Sequence, residues 1–134
     1  MASNFARLSC LNAGLVMAAC SSSGTAVSPL VLYPSSPESH QALLRGTLSL
    51  EGGCLYIAGE GGERWLAAFP SPGTRWDSGE NAVQVGERML RVGDMGAFAG
   101  GEVPNASGAI AWVQAPAAGC DASRLWMVST LMDP

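Results

Sequence analysis

Two sets of residues in this chain have chemistry to offer: four cysteines, and a scatter of carboxylates around the run Arg75, Trp76, Asp77. The only histidine is His40. A serine or cysteine nucleophile needs a base beside it. His40 lies in a stretch rich in serine and proline, so a Ser-His-Asp site is not expected. Cys54 and Cys120 are 66 positions apart with no Cys-x-x-Cys spacing and no further histidine, which is a poor zinc or redox set. Glu51, Glu60, Glu63, Asp77, Glu87, Asp94 and Glu102 could pair for acid–base work. Most of them sit beside glycine in turn-like contexts, where such acids stabilise turns. "GDMGAFAGGE", residues 93–102, follows a hairpin pattern instead of opening a helix, so it does not cradle phosphate. No catalytic residue, cofactor or metal is expected.

The most suggestive segment is "PSPGTRWDSGEN", residues 70–81, which reads as the longest polar loop. Exposed tryptophan and arginine are favoured at contact hot spots. Arg75, Trp76 and Asp77 therefore form a candidate partner-binding loop. The plainer reading is that Trp76 plugs a barrel end and Arg75–Asp77 is a surface ion pair worth under about 1 kcal/mol.

The elements that must position these residues are short strands. Apolar residues make up 48% of the 134, enough for a core. In "GTLSLEGGCLYIAGEGGERWLAAF", Leu48 and Leu50 share one strand face, and Gly52-Gly53 permits a bend. "CLYIA", residues 54–58, and "ERWLAAF", residues 63–69, flank the turn "GEGG". A second hairpin set covers residues 82–103, with Gly-acid turns at "VGE" 85–87 and "VGD" 92–94. Further strands are expected at 109–114 and 124–131. Trp65, Trp112 and Trp126 lie in apolar strand patterns and read as core. The expected fold is all-β: a small OB-like barrel or compact β-sandwich of five to eight short antiparallel strands, spanning 43–134.

The chain carries no lysine, and its eleven acids outnumber seven arginines for a formal charge of −4. Such a surface has no general attraction for phosphate backbones, so a nucleic-acid partner is not expected.

Residues 1–19 have one charge, Arg7, then an uncharged apolar stretch from Leu8 to Ala19. That is too short to span a bilayer and has the layout of an export signal. "MAAC", residues 17–20, resembles the lipobox of bacterial lipoproteins, with Met17 where leucine is most frequent. The resemblance implies cleavage before Cys20 and lipid on its thiol. It also implies a periplasm-facing position, with Ser21 in place of aspartate suggesting the outer membrane. Residues 20–42 then form a Ser/Pro-rich tether, able to hold a domain about 25 Å from its anchor. Within it "LVLYP", residues 30–34, is apolar enough to be an edge strand or to lie on the domain.

With Cys10 removed in the signal and Cys20 lipidated, Cys54 and Cys120 remain, in an oxidising compartment. Their disulfide would contribute about 4 kcal/mol by restricting the unfolded chain. The motifs Gly46–Tyr56, Phe69–Asp77, Val92–Asp94, Gly100–Glu102, Cys120 and Trp126 also resemble small bacterial domains; that resemblance implies a shared β fold and supplies no activity to carry over.

Together these expectations describe a lipid-anchored, non-catalytic envelope domain with a binding or structural role and a protein partner. The alternative is an inhibitor of an envelope-directed enzyme such as a lysozyme or protease, for which acids at 71–81 would suit a basic target.

Overall fold

The computed structural model describes residues 28–34, 42–104 and 110–134. The expected export signal, Cys20 and His40 lie outside them. The described chain is all-β, with nine strands. They are β1 (Leu32–Pro34), β2 (Ala42–Glu51), β3 (Cys54–Gly59), β4 (Arg64–Ser71) and β5 (Thr74–Asp77). After them come β6 (Ala82–Val85), β7 (Arg88–Arg91), β8 (Met95–Pro104) and β9 (Arg124–Met132).

Five strands close a barrel in the order β4-β3-β2-β8-β9, and β9 returns to β4. All barrel pairings are antiparallel except the closing one, where Leu66 to Ala68 run parallel to Leu125 to Met127. Counting only barrel strands in chain order, this is 1-2-3-5-4-1, the Greek-key order of an OB-like barrel. β1 adds to its outside, parallel to Phe69–Ser71.

Alternation along each strand decides which residues face in. Leu48, Leu55, Ile57, Trp65, Ala67, Phe69, Phe98, Trp126 and Val128 fill the interior cluster. The opposite parity forms a second cluster on the outer face of β3 and β4, holding Cys54, Tyr56, Leu66, Ala68 and Leu125. Val31 and Tyr33, from the segment preceding β2, cover that outer face, and the Tyr33 hydroxyl donates to the Val128 carbonyl. "LVLYP" thus contributes an edge strand lying on the barrel.

Sharp curvature is placed at Gly46, which pairs with Gly59 on one side and Gly96 on the other. A Cβ at Gly46 would stand 2.5 Å from the Ala58 carbonyl oxygen, so only glycine permits the approach.

Between β4 and β8 the chain inserts a three-stranded meander, β5-β6-β7. Val83 and Val85 of β6 join the interior cluster, with Trp76, Leu90 and Val92 packed against it. The other end of the barrel carries Trp65 and Trp126, an edge-to-face pair 6.1 Å apart. The strand expected at 109–114 is corrected: 110–113 is irregular, and only Gln114 makes a bridge, to Leu32. Polar Gln114 and the two prolines, Pro104 and Pro116, leave little there to extend a ladder.

Candidate functional site

The run Arg75, Trp76, Asp77 is not a loop. It is most of β5, paired residue by residue with Gln84, Val83 and Ala82 of β6. Gly73 at positive φ reverses the chain before it, and the Asp77 carboxylate holds the turn after it by accepting from the Gly79 and Glu80 amides. Trp76 is half-buried against the interior cluster. Asp77 is occupied with the turn and makes no ion pair with Arg75; Glu80 is paired to Arg91.

What remains presented is a polar cleft of about 340 Å³ lined by Arg75, Trp76, Asp77, Ser78 and Gln84. Arg75 is exposed and makes no salt bridge among the described residues. Opposite it in the ladder, the Gln84 amide donates to the Gly86 carbonyl. A guanidinium with no ion pair among the described residues stands with a carboxylate, an amide, a hydroxyl and an indole in one cleft, a set that can recognise a polar or charged partner.

Cys54 and Cys120 form a disulfide, with Cα atoms 5.7 Å apart. It fastens the β2–β3 turn to the long β8–β9 connection, which folds back over the outer face of β3 and β4. The backbone N–H of Asp121 donates to the Tyr56 hydroxyl. Trp112, expected in a core strand, instead sits half-buried in this connection and lines an apolar cavity of about 300 Å³ with Pro116, Cys120 and Leu125. Its described lining residues carry no charged side chain.

Two charged clusters escaped sequence reasoning. Arg64 lies 4.1 Å over the Tyr56 ring and bridges Glu51 and Asp121. Hydrogen bonds from Ser123, aided by Arg64, hold the Asp121 carboxyl below its ordinary range. At the barrel end, Glu102 accepts from Trp65 Nε1 at 2.7 Å and from Arg124 at 2.9 Å. Those bonds, Trp65's first, hold the Glu102 carboxyl low. Arg124 in turn lies 4.5 Å over the Trp65 ring. Both clusters join residues far apart in sequence, so no local spacing announces them.

No group of three or more histidine, cysteine or acidic side chains gathers among the described residues. No helix there is long and apolar enough to cross a membrane. No family model, curated protein or solved structure matches the chain.

Proposed function

We propose that this chain is a lipid-anchored binding domain of the bacterial cell envelope. Cys20 is the lipid attachment site, and the barrel faces the periplasm and engages a protein partner through β5 and β6. The observation that carries the binding reading is the unpaired, exposed Arg75 beside Trp76 in a polar cleft. An arginine with no ion pair among the described residues, next to a tryptophan, has the composition of a contact hot spot. The Cys54–Cys120 disulfide supports an exported location, because such bonds persist in oxidising compartments. The lipobox-like "MAAC" supports the anchor.

Inhibition of a basic lysozyme through acids at 71–81 is the less favoured reading. Asp77 and Glu80 are both committed, to the turn amides and to Arg91.

Two measurements test the proposal. Intact-mass analysis of the membrane fraction should find a chain beginning at Cys20 with acyl mass, and Cys20→Ser should remain unprocessed. A photo-crosslinker placed at Gln84 in intact cells should give one discrete adduct. Arg75→Glu should abolish it while Arg45→Glu leaves it. An adduct indifferent to Arg75, or no adduct, removes the cleft from the account.

A further inference from the structure

Met89, Met95 and Met132 lie on three different strands, yet they line one groove of about 170 Å³. Their exposures are 46%, 49% and 50%. Methionine normally fills irregular gaps in cores. Leaving three of them half in water around one depression forgoes burial that the fold could have used.

The register places two of them side by side. Met132 stands opposite Ala97, and Met95 is two residues before Ala97 on the same strand face. That makes Met95 and Met132 a diagonal pair, a spacing of about 7–8 Å that long side chains bridge. Leu90 packs so closely on Gly96 that a Cβ there would meet its Cδ2 at 2.8 Å. That contact sets β7 beside β8, and Met89, the neighbour of Leu90 on the other face of β7, borders the same groove. Arg88 and Asp133 form an ion pair at the rim.

We propose that Met89, Met95 and Met132 form a three-thioether site for a soft monovalent cation, Cu(I) or its analogue Ag(I). Thioether sulfurs are soft, neutral and carry no proton to lose. They suit Cu(I) and offer little to zinc, calcium or magnesium, which want imidazole, thiolate or oxygen. Among the described lining residues there is no histidine or cysteine, and the one side-chain carboxylate, Asp133, is paired to Arg88, so the thioethers are the ligands on offer. This inference is independent of the envelope reading and of the Arg75 cleft.

Methionines also enrich adaptable protein-docking surfaces, and one substitution separates the two roles. Leucine keeps the groove's volume and apolarity and removes its sulfur. The test uses the full chain with Cys10→Ser and Cys20→Ser, so that no free thiol competes, and with the disulfide intact. Ag(I), which needs no reductant, is titrated in chloride-free buffer by calorimetry, with Zn(II) as control. Methionine ε-methyl NMR signals are followed in parallel.

One equivalent of Ag(I) should bind and Zn(II) should not. The Met89, Met95 and Met132 methyls should shift and the Met127 methyl should not. The triple variant Met89→Leu, Met95→Leu, Met132→Leu should bind about 100-fold more weakly, or worse, with an unchanged circular dichroism spectrum. If that variant misfolds, the methyl shifts of the parent chain decide. Absence of binding, shifts confined elsewhere, or unaltered binding in a folded triple variant would overturn the proposal.

Discussion

Trp65 and Trp126 share one cluster and are each 6% exposed, yet their indole N–H groups fare differently. Trp65 donates to a carboxylate, and Trp126 Nε1 is buried with no partner among the described residues. A hydrogen bond to a charged group contributes about 1.5–3 kcal/mol, whereas an unsatisfied donor is a cost that phenylalanine removes. Trp65→Phe should therefore destabilise the domain by about 1–2 kcal/mol more than Trp126→Phe, as read from urea midpoints. Equal losses would show that the Glu102 bond adds nothing. Gly100 is a stricter case. It stands at the β8–β9 register shift, where a Cβ would lie 1.9 Å from the Met127 carbonyl oxygen. Gly100→Ala should cost about 3 kcal/mol, since backbone has to move to admit it. Neither site could be read from sequence. Glycine in "AGGE" has the look of a turn, and nothing near Trp65 points to Glu102 37 positions away.

At the scale of elements, hairpins were legible and long connections were not. β3, β4 and β9 fall where their apolar runs stop at glycine or acidic turns, and β3 and β4 read as continuous runs because both their faces are buried, one in the interior and one under the outer cluster. β5 was hidden. Four residues with one large apolar side chain, between a proline–glycine pair and a Ser-Gly turn, look like loop. Its strand character comes from β6, whose buried Val83 and Val85 anchor the ladder that β5 joins. The β8–β9 connection has no pattern of its own and is held by Cys54, Tyr56 and Leu32. Replacing both Cys54 and Cys120 with alanine should lower stability by about 4 kcal/mol. It should also raise amide exchange in residues 110–122 before the barrel strands, a loosening that hydrogen-exchange mass spectrometry would register. Uniform protection would mean the connection needs no fastening.

For the molecule as a whole, the pairing of β4 with β9 decides the architecture, and it joins residues about sixty positions apart that no local rule connects. The alternation predicted an all-β barrel or sandwich. Which strands meet at the seam is a long-range choice set by filling the interior. Charge acts at this scale too. Glu102 and Asp121 are held below their ordinary values of 4.5 and 3.8 by partners the unfolded chain lacks. Their contribution is complete above those values and is lost as pH falls through the depressed native ones. Urea midpoints should be flat from neutral pH down to about pH 5 and decline below pH 4. Glu102→Gln should soften that decline. A slope unchanged by the substitution would place the acid sensitivity elsewhere.

The seam also sets a timetable. β9 lies between β8 and β4 and completes both ladders, so until residue 132 has been synthesised the cylinder stands open, with two unsatisfied strand borders. Residues 42–104 can form hairpins as they emerge, but none of them can shut the wall. Cys120 lies in the connection just before β9, so the disulfide too can form only after β8 has been made. A nascent chain of this design stays open to mispairing until β9 is in place.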